Sequence, residues 1–82
     1  MAKQISKKSK KLIFISFGKK LRSLRLAKGF TPAEFSRAVD ISKEMLGRYE
    51  RGEVEPKLVV IMKMADALKV HHLELLDIEI DN

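Results

Sequence analysis

The 82-residue chain contains no cysteine and no tryptophan, one tyrosine and only two prolines. Without cysteine there are no disulfides and no thiolate metal sites, so the fold must rest on packing and suits a reducing interior, the cytoplasm by default. Long apolar runs are missing as well. The stretch "LIFISF" follows lysines in the manner of a signal peptide, but it is too short for an h-region or a membrane span. "GKK" also stands where a small-residue cleavage site belongs, so neither export nor membrane insertion is expected.

The patterns that mark catalysis are absent. There is no G-x-S-x-G, no Walker loop and no carboxylate pair with a histidine, and a chain of this length leaves little room for a cleft, so no enzyme and no cofactor are expected. His71 and His72 are adjacent, which on a helix splays their side chains by about 100° and denies them the i, i+4 geometry of a shared metal. His71 reads better as a surface or capping residue.

Acids are missing from one end. Ten lysines and arginines, from Lys3 to Lys28, precede the first acid, Glu34, whereas Glu74, Asp77, Glu79 and Asp81 follow Lys69 with no basic neighbour. The net charge of +6 is therefore polarised. Such asymmetry suits a polyanionic partner on one face, the alternative being a soluble protein with a high isoelectric point.

What is present reads as one small domain, since 45% hydrophobic content in this length buries about 60% of the unfolded surface. Met1 to Lys11 is lysine-rich and lacks aromatics, which predicts a mobile arm; residues 1–15 form the expected basic N-terminal segment. From about Ser16, Phe17, Leu21, Leu24 and Ala27 recur at helical spacing, and Gly29 ends the run. "TPAEF" opens a second helix, with Thr31 as N-cap, Pro32 at the first helical position and Glu34 completing a capping box. Phe35, Ala38 and Val39 give this helix its apolar face. Asp40 then tolerates left-handed geometry and Ser42 caps a third helix, Lys43 to about Arg51, with Met45, Leu46 and Tyr49 inward.

Pro56 introduces a fourth helix whose apolar residues, Leu58, Ile61, Met62, Met64, Ala65 and Leu68, nearly fill its circumference as in a central scaffold. "VHHLELLD" adds a short fifth helix, and "IEI" alternates like a strand fragment. The fold class is all-α, a compact five-helix bundle, in which the second and third helices have the lengths of a helix-turn-helix unit.

Four stretches in order, "FGKKLRSLRLAKGFT", "FSRAVDIS", "LGRYERG" and "PKLVVIMKMADALKV", resemble the lambda-repressor/Cro-type (XRE family) helix-turn-helix DNA-binding domain over residues 16–77. Residues 78–82 remain as a C-terminal tail. The resemblance implies that the third helix enters the major groove of double-stranded DNA, its N-terminal end nearest the bases. Lys43, Glu44, Gly47 and Arg48 then take base-reading positions: Arg48 can fork onto guanine O6 and N7, Lys43 can donate there or to a phosphate, and Glu44 can accept from cytosine N4. Gly47 would let the helix lie close to the groove wall, or else relieves crowding within the fold. The family more often has a small polar residue there.

Expected phosphate contacts are the helix starts at Thr31 and Ser42, together with Arg51 and Lys57. Pro32 stands where the family usually has a DNA-contacting glutamine. In relatives the residues matching Arg25 and Glu50 pair inside the fold; the alternative is a solvated Arg25. The lysine arm either follows the duplex backbone or serves as a solubilising tail. The function implied is a sequence-specific transcriptional regulator, a repressor binding an operator as a homodimer. Leu73, Leu75, Leu76, Ile78 and Ile80 offer surplus apolar surface for that dimer, and "LIFIS" could add to it or pair as a strand with "DIEID". The rival reading is a protein-interaction module on the same fold, such as the antitoxin of a toxin–antitoxin pair.

Overall fold

The protein is described from a computed structural model, which covers residues 6–80; the expectations for residues 1–5 and 81–82 lie outside the described residues. Among the described residues every regular element is a helix: α1 Lys7–Ala27, α2 Pro32–Val39, α3 Lys43–Glu50, α4 Leu58–Leu68 and α5 His72–Leu75. Local chemistry sets the boundaries of α2 and α3. Thr31 Oγ1 accepts from the Glu34 N–H at 3.1 Å, and Glu34 Oε1 accepts from the Thr31 N–H at 2.9 Å, which closes the capping box. Asp40 leaves α2 with φ +64°, and Ser42 Oγ accepts from the Met45 N–H to start α3.

One core unites the helices. Leu21 of α1, Phe35 and Val39 of α2, Leu46 of α3, Met64 and Leu68 of α4 and Leu75 of α5 are fully buried. Each such side chain contributes roughly 1.5–3 kcal/mol relative to exposure. The rings of Phe30 and Phe35 meet edge to face at 5.5 Å, which seals the α1–α2 turn onto the core.

Several expectations need correction. The segment expected to be a mobile arm is helical from Lys7, nine residues ahead of the expected start. Two local facts account for this: Ser6 Oγ caps the Ser9 N–H, and Leu12 to Ser16 are half-buried against the body of the fold, so extending an already docked helix avoids the cost of nucleation. Consequently "LIFIS" is not a strand, and Asp77 to Ile80 has no regular structure; Ile78 instead lines a groove with Ile13, Phe14 and Phe17.

On α2 the apolar face is Phe35, Ser36 and Val39, with Ala38 exposed; the Ser36 hydroxyl is buried because it donates to the Ala33 carbonyl. The fourth helix is not a central scaffold. Ile61, Met64, Ala65 and Leu68 are buried, but Leu58, Val59 and Met62 are 70%, 65% and 44% exposed. The last correction concerns how the histidine rings lie, since His71 does cap a helix as expected but the two rings do not splay apart. His71 is the extended N-cap of α5, its Nδ1 accepting from the Leu73 N–H, so the two imidazoles lie together with centroids 4.2 Å apart. Among the described residues no group of three potential ligands surrounds them.

Candidate nucleic-acid interface

The sequence of α3 divides its surface cleanly. Leu46 and Tyr49 are buried, Met45 and Glu50 half-buried, whereas Lys43, Glu44, Arg48 and Arg51 are exposed. Glu44, Arg48 and Arg51 follow one another at spacings of four and three, so they form one polar stripe, flanked by Lys43 and Gly47. This flank is open to solvent.

Arg25 fixes the other flank. Its Nε donates to Glu50 Oε2 at 2.7 Å, its Nη2 to Glu50 Oε1 at 3.2 Å, and its Nη1 to the Phe30 carbonyl at 2.9 Å. One guanidinium thereby joins α1, the α1–α2 turn and the end of α3, with side-chain exposures of 6% for Arg25 and 12% for Glu50. Beside it the main chains nearly touch: a Cβ placed on buried Gly18 would strike the Tyr49 and Glu50 carbonyl oxygens, and one on Gly52 would strike the Ile15 backbone. The absence of side chains lets α1 clamp the C-terminal end of α3.

A second fork, which helical spacing did not anticipate, forms on the exposed side. Arg51 Nε donates to Glu53 Oε2 at 2.6 Å and Nη2 to Oε1 at 3.4 Å. That bond holds the Glu53 carboxyl below the usual carboxylate range and pushes the guanidinium of Arg51 up. The same guanidinium occupies the space that Gly47 leaves open, since a Cβ on Gly47 would lie 2.8 Å from Arg51 Nη1. Gly47 therefore already has an occupant within the chain, and a phosphate that engaged Arg51 would have to draw it off Glu53.

The helix starts differ in what they leave for an anion. At α2, Pro32 has no N–H and the Thr31 and Glu34 N–H groups serve the capping box, so Ala33 alone is left, close to the Glu34 carboxylate. That carboxyl is held below its ordinary range chiefly by the Thr31 N–H, then by the Thr31 side chain. At α3 the Ser42 hydroxyl takes only the Met45 N–H. At α4 the N-cap is Lys57, exposed and extended, with no side-chain cap bond and no acid in the first turn. Of these helix starts, α4 is the best suited to an anion, because unsatisfied N–H groups and a lysine converge there.

Comparison with known proteins agrees with this architecture. The helix-turn-helix family HTH_3 matches residues 21–75. The uncharacterised HTH-type transcriptional regulator YazB of Bacillus subtilis is 37% identical over 59 residues, covering 72% of this chain and 86% of that protein. The prophage-derived HTH-type regulator YonR of the same organism is 32% identical over 54 residues; the match covers 66% of this chain and 50% of that protein. Among solved structures, the restriction-modification controller protein C.AhdI from Aeromonas hydrophila superimposes with a TM-score of 0.74 at 35% identity, covering 76% of this chain and 94% of that one. The clp gene regulator ClgR from Corynebacterium glutamicum gives a TM-score of 0.76 at 30% identity, over 78% and 82% of the two chains. With the capped α2–α3 pair, the Arg25–Glu50 tie and these matches in hand, the chain belongs to the HTH_3 helix-turn-helix family of XRE type, a family of DNA-binding transcription regulators.

Proposed function

We propose that this protein is a sequence-specific repressor that occupies an operator as a homodimer, with α3 in the major groove and cytoplasmic DNA as its target. The observation that carries the reading is the exposed stripe of Glu44, Arg48 and Arg51 with Lys43 beside it, on a helix whose opposite flank is tied into the core. A groove about 12 Å wide accepts one such helix and displays a donor and acceptor pattern these side chains can match. Arg48 offers guanine a two-pronged contact, Lys43 donates, and Glu44 accepts from cytosine while repelling misplaced phosphate. Lys57 at the uncapped start of α4 and the N–H groups following Ser42 supply the backbone grip that sets register.

One such domain touches few bases, so two copies reading half-sites about one helical turn apart supply the selectivity. Leu58, Val59 and Met62, left exposed on α4, are the apolar surface such a dimer would cover. The same exposure favours the second reading, a module holding a different protein, as an antitoxin does.

Selection from a random duplex library tests the proposal directly. Arg48→Ala should cost roughly 1–3 kcal/mol on the preferred site and flatten discrimination at one base pair. An unchanged preference profile removes Arg48 from the reading set. Duplex affinity that barely changes with salt, against a slope of about −0.9 per neutralised phosphate, would move the protein to the interaction-module reading.

A further inference from the structure

We propose that the N-terminal turns of α1 are a second DNA contact, in which Lys7, Lys10 and Lys11 grip the duplex backbone flanking the segment under α3. The inference rests on the DNA-reading role of α3 proposed above. Lys7, Lys10 and Lys11 follow each other at spacings of three and one, so they share one side of the helix. With Phe14 they face Arg51, Gly52 and Glu53 across a single shallow hollow. The basic side of α1 thus continues the polar stripe of α3 beyond its C-terminal end.

Two observations point to a polyanion. First, among the described residues these lysines have no ion-pair partner. All three are exposed, and the ion pairs among the described residues are Arg25–Glu50 and Arg51–Glu53, so the one carboxylate in the hollow is already engaged by Arg51. Second, the charges are badly placed for the helix itself. Four lysines fill the first turns of α1, at the positive end of its macrodipole, with no acid in the first turn. Lysines at i, i+3 and i+4 also repel one another. A row of phosphates reverses the sign of both terms.

Duplex DNA is favoured over other polyanions by position. α1 is clamped to the end of α3 at Gly18 and Gly52, so its lysines hold a fixed place relative to the reading stripe. When the N-terminal end of α3 is nearest the bases, its C-terminal end leaves the groove beside the flanking strand, where Lys7, Lys10 and Lys11 stand. An anionic membrane surface would attract the same lysines but gives no reason for their adjacency to Arg51.

The test uses the full chain carrying Lys7→Gln, Lys10→Gln and Lys11→Gln, which removes charge while keeping residues that favour helix. Binding is measured across a salt series on a selected site with long flanks and on the same site trimmed to its core. The expected result is a salt slope on the long duplex shallower by about 2.7, at about 0.9 per phosphate, with wild type and variant alike on the trimmed duplex. Base preference should stay unchanged. Equal slopes on the long duplex would overturn the proposal, as would a loss equal on both duplexes. Binding of wild type to phosphatidylserine vesicles that the variant loses, with no change on DNA, would reassign the lysines to a membrane. Failure of the underlying reading looks different: wild type then selects no sequence on either duplex.

Discussion

Two arginine–glutamate forks lie at the two sides of α3, built from the same groups at nearly the same distances. Arg25–Glu50 closes at 2.7 Å with its side chains 6% and 12% exposed; Arg51–Glu53 closes at 2.6 Å with 60% and 50% exposed. Their surroundings suit them to opposite uses. The buried fork cannot exchange its partner for water, so loss of one member strands a charge; it holds the fold together without being strong evidence of net stability. The exposed fork is screened and continually sampled by solvent, so it contributes little to folding and can trade its carboxylate for a phosphate. Chemistry alone does not tell an anchor from a contact. Burial does.

The largest effect that would sharpen this contrast is Glu50→Ala, expected to destabilise the fold by about 3–5 kcal/mol because the Arg25 guanidinium is left buried and unpaired. Denaturant unfolding reads it, and a small shift in midpoint would break the distinction from the anchor side. Glu53→Gln comes next and should act on binding instead. Releasing Arg51 to a phosphate should steepen the salt dependence of duplex affinity by about one phosphate's worth, ~0.9, while the unfolding midpoint moves only slightly. A destabilised variant with an unaltered slope would break the contrast from the other side.

The smallest effect is in acid. The folded-state carboxyls of Glu53 and Glu34 lie below the ordinary carboxylate value, Glu53 through the Arg51 hydrogen bond and Glu34 through the Thr31 N–H. Their stabilisation is therefore fully present above the ordinary unfolded-state value and is lost as pH falls through the depressed folded-state one. Thermal unfolding of wild type and a Glu34→Gln, Glu53→Gln double variant should differ slightly at neutral pH, the gap narrowing across that acid range. A gap that widened in acid would reverse the assigned signs.

Features decided by a few neighbouring residues were legible in the chain. The capping box at Thr31 and Glu34, the left-handed Asp40 and the cap at Ser42 are chemistry within one turn, and each stands in the structure where the residues imply it. The early start of α1 was hidden because lysines and a short apolar run are judged locally, while the helix is held by distant surfaces at Gly52 and Ile78. The exposed face of α4 was hidden for a related reason: composition shows which residues are apolar but not which of them a neighbour covers. Helical spacing also missed the Arg51–Glu53 fork, because Gly52 turns the chain and brings residues two apart onto one side. Gly47 left two readings open, close approach to a groove wall or relief of crowding within the fold, and residue spacing could not show that the Arg51 guanidinium, four positions along, lies beside it.

The near contact of main chains at Gly18 has a mechanical consequence. With no intervening layer of side chains, α1 and α3 cannot slide past each other, and the long first helix becomes a lever whose far end turns with α3. A dye placed on the exposed Lys8, in the first turn of α1, would follow the rotation of α3. On the proposed docking of α3, the polarisation of that dye would report duplex binding.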